Sequence, residues 1–446
     1  MKKFGWGPAL VLALCLAWMP MGALADLTET QIILTTYDWR NDVPQGAIEE
    51  HNRPGAEPFS PSGDFSFHSM LPLEDGVLLL IGQYEYRETL MEDMFGVGYE
   101  TTPPRTDAYA VAVDAEGKRL WSLRIGDPQT ESNGFAKGWR MEDGRILLLY
   151  QNMNGTFGSH YYIISPDGEV DGMLSTKRLR EEGVVCNLQY FQEGFLGGGV
   201  RLDSGVFGRM EEGDQIVLLD NDLNTLWNYR HPDLEGTLLY SAARQPGDGF
   251  LLYGNRSCHD GDLVPMAVKM SLTGERLWLF EGHHYAIGWV DDALPTDDGG
   301  ALLVMSVDPT VPTPYDDVPF RGVLVKVSGT GEAEWVKTYD QYGITYFSSM
   351  LPMGNGLLIK GTMKDVGDSF SALIYLDETY EAVSFARLPL GEGDWREYAY
   401  LAAGPDGSIY VYGGEYLLED TENGEWKAAE RRAVFAKVDE GRFVGE

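Results

Sequence analysis

The chain has 446 residues, 43% of them apolar and 12% aromatic, which is enough to build a sizeable core and rules out disorder over most of the length. Its 34 basic and 69 acidic residues give a net charge of −35, a field that repels nucleic acid and anionic lipid. The 54 glycines point to many turns and exclude an architecture of long helices.

Residues 1–25 read as a signal peptide. Lys2 and Lys3 form a charged start, Pro8–Met19 is an apolar run that Pro20 breaks, and Ala23–Leu24–Ala25 is a small-x-small cleavage site. The run is shorter than the ~20 residues a membrane span requires, and no later stretch is a candidate span, so a secreted or cell-surface location is expected. Cys15 follows Leu14, where a lipoprotein box carries a small residue. Removal of Lys2 and Lys3 takes the net charge to −37. Residues 26–63 then hold one strand, Thr30–Trp39, and an insertion, Arg40–Gly63.

From residue 64 to 446 two motifs alternate. The first is a Gly turn followed by an apolar run, in seven copies: "EDGVLLLIG" from Glu74, "EDGRILLLY" from Glu142, "QEGFLGGGV" from Gln192, "GDGFLLYGN" from Gly247, "DDGGALLVM" from Asp297, "GNGLLIKGT" from Gly354 and "PDGSIYVYG" from Pro405. The mean period is about 55 residues, near the upper end of propeller repeats. The second motif is a strand, a tight Asp/Ser/Gly turn and a strand, ending at Trp121, Gly172, Trp227, Trp278, Trp335, Phe385 and the chain's last residues.

Each period therefore holds two hairpins, or four strands A to D. No window of helical period reaches a dozen residues. Seven such units predict an all-β, seven-bladed β-propeller of four antiparallel strands per blade, since stacking in a ring buries both faces of every blade and leaves no end to cap. The near-identical stretches Ser69–Gly76 and Ser349–Gly356 are assigned to the innermost strands of blades 1 and 5. The last repeat ends in "GRFVGE", a poor outer strand, so Thr30–Trp39 is expected to complete blade 7 and lock the ring.

The D-x-x-G-x-x-x-W hairpin alternating with the DGG-x-L-x-x-G hairpin resembles the quinoprotein-like (PQQ-like repeat) propellers of exported bacterial proteins, over residues 64–446. The resemblance implies the propeller fold; propellers of this kind serve as scaffolds, assembly factors and enzymes. Quinone-dependent dehydrogenases of the group carry an adjacent cysteine pair and usually eight blades. This chain has neither feature, so no such cofactor is expected. The hairpin also resembles the sialidase Asp-box superficially, but Gly117–Trp121, Gly274–Trp278 and Gly331–Trp335 are each spaced one residue too long.

Strand parity sorts the connections. All A–B and C–D turns fall on one face of the ring; all B–C and D–A loops fall on the other. The four long insertions, Arg40–Gly63, Arg87–Asp107, Asp308–Phe320 and Glu415–Arg431, share the second face, where binding sites usually gather. That face is acidic: Glu92, Asp93, Asp203, Glu211, Glu212, Asp260, Asp262, Asp316, Asp317, Glu419 and Asp420 fall there. Asp260, Asp262, Asp316 and Asp317 are the candidate ligand-binding residues. Paired carboxylates suit Ca²⁺, but no calcium motif supports it: Asp220–Asn224 starts like a calcium loop, lacks its later glycine and glutamate, and reads as a C–D turn. Most of the exposed acids read as solvated surface.

Aligned inner strands place Ser69, Lys137, Asn187, Ser241, Asp292, Ser349 and Tyr400 at one position, all polar, followed by Met70, Gly138, Leu188, Ala242, Ala293, Met350 and Leu401. A polar ring lining the channel follows, either satisfied through water or serving a ligand. Catalytic patterns are thin. His51, His68, His160, His231, His259, His283 and His284 form no spaced metal motif, and neither a nucleophile elbow nor a P-loop is present. Cys186 and Cys258 are a disulfide or two free thiols. The expected function is non-enzymatic binding of a protein, glycan or cation through the long-loop face. The alternative is a carbohydrate-active enzyme, glycosidase or lyase, with carboxylates from separate blades at the channel mouth and Trp139, Trp289 and Trp395 to stack on sugar.

Overall fold

The computed structural model describes residues 27–33, 35–37, 64–86, 105–126, 133–152, 159–181, 188–199, 215–234, 237–245, 249–257, 263–282, 287–308, 321–365, 368–388, 399–420 and 426–444. Two short strands open it, β1 (Thr28–Thr30) and β2 (Thr35–Tyr37). Seven antiparallel blades follow. Blade 1 is β3 (Asp64–Pro72), β4 (Leu78–Tyr86), β5 (Arg105–Val113) and β6 (Arg119–Ile125); blade 2 is β7 (Asn133–Arg140), β8 (Ile146–Asn152), β9 (Ser159–Ile164) and β10 (Val170–Ser175). Blade 3 is β11 (Gln189–Phe191), β12 (Gly194–Gly199), β13 (Gln215–Leu219) and β14 (Thr225–Arg230); blade 4 is β15 (Thr237–Gln245), β16 (Gly249–Ser257), β17 (Leu263–Met270) and β18 (Arg276–Glu281). Blade 5 is β19 (Ile287–Pro295), β20 (Ala301–Asp308), β21 (Arg321–Val327) and β22 (Ala333–Thr338); blade 6 is β23 (Ile344–Met353), β24 (Gly356–Asp365), β25 (Asp368–Leu376) and β26 (Ala382–Arg387). Blade 7 is β27 (Ala399–Ala403), β28 (Ile409–Asp420) and β29 (Trp426–Lys437), completed by β2, so the N-terminal segment closes the ring as expected. Inner strands of neighbouring blades adjoin, including the last against the first, β27 beside β3.

One expectation needs correction, and two gain detail. Ser349–Pro352 lies on β23, the inner strand of blade 6 and not blade 5, because the turn that Gly354 opens is the sixth of the seven. The N-terminal segment also serves two blades: β1 adds a parallel fifth strand to blade 6, with Thr28 opposite Ser384, before β2 pairs antiparallel with β29. Arg442 donates from Nη1 to Gln31 O (2.8 Å) between them. Finally, "GRFV" is not an outer strand; Gly441–Val444 forms one short helical turn whose Phe443 is buried and accepts the Ser384 hydroxyl on its carbonyl (3.0 Å). No helix among the described residues is long and apolar enough to cross a membrane.

The repeat motif has a physical reading at each C–D turn. The first turn residue is Asp or Ser because its side-chain oxygen accepts two backbone N–H groups: Asp114 Oδ1 takes those of Glu116 and Lys118, and Ser271 Oγ those of Thr273 and Glu275. The Trp seven residues later docks on the next blade. Trp121 Nε1 donates to Pro166 O and Trp227 Nε1 to Leu272 O, each at 2.9 Å. A Cβ at Gly168 would lie 2.6 Å from the Trp121 indole, and one at Gly274 2.8 Å from Trp227. The turn glycine thus supplies both a left-handed backbone and the space for its neighbour's ring. In blade 6 the residue in register with these tryptophans is Ser384, opposite Tyr375, and not Phe385.

The cores sit between blades. One cluster joins Leu79, Ile81 and Ala110 of blade 1 to Phe135, Ile146 and Leu148 of blade 2, and another joins Met353, Leu358 and Leu373 of blade 6 to Val411 and Ala436 of blade 7. Central strands carry apolar side chains on both faces for this reason; every residue of β20 is buried.

Candidate functional site

The inner strands share an irregularity that strict alternation hides. Register shifts occur between Phe67 and Ser69, Phe135 and Lys137, Leu239 and Ser241, Val290 and Asp292, and Phe347 and Ser349. In five blades a β-bulge therefore immediately precedes the polar-ring residue, setting two consecutive residues opposite one of the partner strand. The bulge residues are His68, Ala136, Tyr240, Asp291 and Ser348. Tyr400 of blade 7 pairs regularly with Tyr412, and Asn187 lies outside the described residues. The bulges have a trace in the sequence. Phe135 and Gly138, Val290 and Ala293, and Phe347 and Met350 are buried pairs three residues apart, an odd spacing that period-two alternation cannot give.

Six of the ring residues, Ser69, Lys137, Ser241, Asp292, Ser349 and Tyr400, stand on inner strands and are at least partly accessible. Several are tied directly across blade boundaries. Asp292 of blade 5 accepts the Tyr253 hydroxyl of blade 4 on Oδ1 (2.9 Å) and the Met350 N–H of blade 6 on Oδ2 (2.8 Å), and its Oδ1 also takes the Ala293 N–H (2.8 Å). Gln189 of blade 3 lies between Lys137 of blade 2 (3.5 Å) and Ser241 of blade 4 (3.1 Å). Tyr412 of blade 7 bonds Ser69 and the backbone of Met70 in blade 1.

The neighbouring Asp291 is a second carboxyl at the same level. Its Oδ1 accepts from Trp289 Nε1 (2.7 Å) and from the Tyr346 hydroxyl of blade 6 (3.0 Å), while its buried Oδ2 has no donor. Ser306, which lies beside it, gives its proton to Phe347 O (3.1 Å). Desolvation pushes the Asp291 carboxyl up to about 7, opposed by the Ser306, Tyr346 and Trp289 bonds and reinforced by the charge of Asp292. Desolvation also raises Asp292, against the bonds from Met350, Tyr253 and Ala293 and the charge of Lys137. Lys137 is wetted by the channel but enclosed by protein, and that desolvation lowers its pKa against the pull of Asp292. His68, also accessible, is lowered by burial against a hydrogen bond with Gln83.

The loop-face candidates Asp260, Asp262, Asp316 and Asp317 lie outside the described residues, as do Cys186, Cys258, Trp395 and the insertions at 40–63, 87–104 and 309–320. The fourth insertion is not a loop. β28 and β29 stay paired from Tyr410↔Lys437 out to Asp420↔Trp426, whereas β27 ends against Gly413 and β2 against Ala433. Residues 414–420 and 426–432 thus form a two-stranded ribbon standing roughly 20 Å beyond its blade on the B–C and D–A face. Register sets Glu415 opposite Arg432 and Glu419 opposite Lys427. Asp220–Asn224 is the C–D turn of blade 3, with Asp220 Oδ1 accepting the N–H groups of Asp222 and Asn224 (2.9 and 2.7 Å). Among the described residues no group of three or more His, Cys, Asp or Glu side chains could hold a metal ion.

No family model and no curated protein sequence matches the chain. Among solved structures it is similar to Drosophila Plexin A, determined in complex with Semaphorin 1b, at 9% identity and a TM-score of 0.44, over 93% of this chain and 88% of that one. It is similar to a protein of unknown function from Dyadobacter fermentans at 10% identity and a TM-score of 0.41, over 84% and 95% of the two chains. It is also similar to CoXyl43, a β-xylosidase/α-arabinofuranosidase from a compost microbial metagenome, at 10% identity and a TM-score of 0.30, over 83% and 96%. At these identities and scores the likenesses say nothing of ligand or activity.

Proposed function

We propose that this chain is an exported, non-enzymatic binding propeller of the PQQ-like repeat type, which engages a protein, glycan or cation on its B–C and D–A face. The ribbon of residues 414–420 and 426–432 carries the reading. Strands paired past the end of their blade enlarge the face to which strand parity assigns the long insertions. Surface held on a rigid scaffold in this way is where recognition usually resides. The acidic residues assigned there, Asp260, Asp262, Asp316 and Asp317, favour a basic or cationic ligand, whose affinity would fall with salt.

The test sets two variants beside the parent, one with Asp260, Asp262, Asp316 and Asp317 all changed to Asn and one with residues 415–431 replaced by a two-residue turn. Ca²⁺ calorimetry and a glycan array supply the probes. Both variants should melt with the parent, and at least one should lose tenfold or more in affinity for whatever binds. Indifference of every detected ligand to both changes would reject this face.

One feature supports the enzymatic alternative. A carboxyl that titrates near 7, as Asp291 does, suits a general acid. Its neighbour Asp292, however, spends both oxygens on inter-blade bonds. Hydrolysis of a glycoside panel that is abolished by Asp291→Asn would establish the enzyme reading over the binding one.

A further inference from the structure

Lys137 carries its ammonium into the channel without an acceptor among the described residues that satisfies it. Lys326, Lys337 and Lys437 each meet a carboxylate, at 2.6, 2.6 and 3.5 Å, whereas Lys137 meets none among the described residues. Its contact with Gln189 Oε1 is long, at 3.5 Å. The Gln189 amide does better turned over: its nitrogen then donates to Ala242 O (3.2 Å), and its oxygen accepts from Ser241 Oγ (3.1 Å) and Ala242 N (3.0 Å). Three such bonds outweigh one at the limit of hydrogen-bonding distance, and in that orientation Gln189 offers Lys137 only N–H groups. The ammonium is left 5.6 Å from the Trp139 ring centre, in channel water between protein walls. The ammonium is accessible, so a ligand in the channel can reach it.

The opposite charge stands across the ring. Asp291 and Asp292 belong to blade 5, three places from Lys137 in blade 2, which in a ring of seven is nearly diametric. Asp292 Oδ2 accepts only the Met350 N–H and keeps a second lone pair. Between these walls Ser349 Oγ has no partner. A dianion such as phosphate would meet Lys137 but be repelled by Asp292 and by the chain's net charge of −35. A ligand with both signs and no net charge avoids that repulsion and satisfies both walls.

We propose that the channel binds a small zwitterion of the amino-acid type, its carboxylate on Lys137 and its ammonium toward Asp291 and Asp292. The site is separate from the loop face and does not depend on what binds there.

Calorimetry on the full chain with glycine, β-alanine, γ-aminobutyrate and longer ω-amino acids, beside acetate and ethylamine as singly charged controls, tests it. At least one zwitterion should bind tenfold or more tightly than either control, and Lys137→Met should weaken it tenfold or more. The Asp260/Asp262/Asp316/Asp317→Asn variant should bind it like the parent, which separates this site from the loop face. Because Lys137→Met also alters the contact with Gln189 of the next blade, a second measurement uses the unaltered protein: acylation of Lys137 by acetic anhydride, read by mass spectrometry, should slow at least fivefold when the zwitterion is present. Absence of zwitterion binding, equal binding of the singly charged controls, full affinity in a folded Lys137→Met variant, or unchanged acylation would each overturn the assignment.

Discussion

Asp291 is the residue whose chemistry departs most from its exposed counterparts. Its pKa of about 7 in the fold compares with roughly 4 in an unfolded chain. Between those two values the folded state holds a proton that the unfolded state releases. The contribution of Asp291 to stability is therefore most favourable below pH 4 and is lost as pH rises through 7. The charged and titratable groups that bear on it are Asp292 beside it and Tyr346 from blade 6, with Trp289 and Ser306 as hydrogen-bonding neighbours; Lys137 acts on Asp292 from blade 2. Asp291→Asn imitates the protonated acid: its oxygen keeps the Trp289 and Tyr346 donors, and its amide nitrogen faces Ser306. Parent and variant should melt together below about pH 4 and diverge progressively above it. Above pH 8 the variant should be the more stable, by at most about 4 kcal/mol. Parallel melting curves across this range would show that Asp291 ionises like an exposed carboxylate.

At the scale of elements, the docking of Trp121 and Trp227 on the next blade's turn glycine makes one departure informative. Blade 2 has Gly172 where blades 1, 3, 4 and 5 have Trp, and the turn of blade 3 has Leu223 where blades 1, 2, 4 and 5 have Gly; blade 6 departs separately at both positions, with Ser384 and Tyr380. Leu223 adopts φ 63°, a left-handed conformation that costs a residue with a Cβ roughly 1–2 kcal/mol, yet it is 4% exposed and packs with Tyr161 and Leu179. The two departures compensate: the leucine fills the space left by the missing indole. Leu223→Gly relieves the backbone but opens a cavity, and because emptying a leucine site costs about 2–5 kcal/mol, the cavity should win and the Tm fall. Adding Gly172→Trp should restore much of it, with the new indole N–H reaching Asn221 O as Trp121 reaches Pro166 O. A double variant no better than Leu223→Gly would refute the compensation. The same elements show what was readable beforehand. Turn residues and apolar runs are local, so blade number and strand order follow from spacing alone. Bulges are properties of register between two strands. The ring position was visible as seven aligned polar residues, but its pairing of Asp291 with Asp292, and the bonds from Tyr253 and Met350 across blade boundaries, arise only when three blades meet. Residues 415–431 read in the sequence as a long insertion, and only the continuing ladder reveals the ribbon.

For the whole molecule, closure decides whether the blades hold together. Each blade buries its faces against two neighbours, so an opened ring exposes two faces at once. The segment 27–37 guards that seam from both sides. Leu27 is buried in a cluster with Phe370 and Phe385 of blade 6, Tyr37 in one with Phe435 of blade 7 and Tyr84 of blade 1, and Ile32 packs against the core between blades 6 and 7. Burying a side chain of this size is worth about 1.5–3 kcal/mol, so the two fully buried ones alone amount to roughly 3–6 kcal/mol, before the exposed edge of β29 is counted. A loss of that order is a large fraction of an ordinary domain's total stability. Deleting residues 26–40 should therefore lower the melting temperature of the entire propeller by 10 °C or more in one cooperative transition, not loosen blade 7 alone. Calorimetry distinguishes the outcomes. A truncated protein that melts with the parent, or that loses one blade in a separate low-temperature step while the rest melts unchanged, would mean that the inter-blade cores hold the ring without the N-terminal strands.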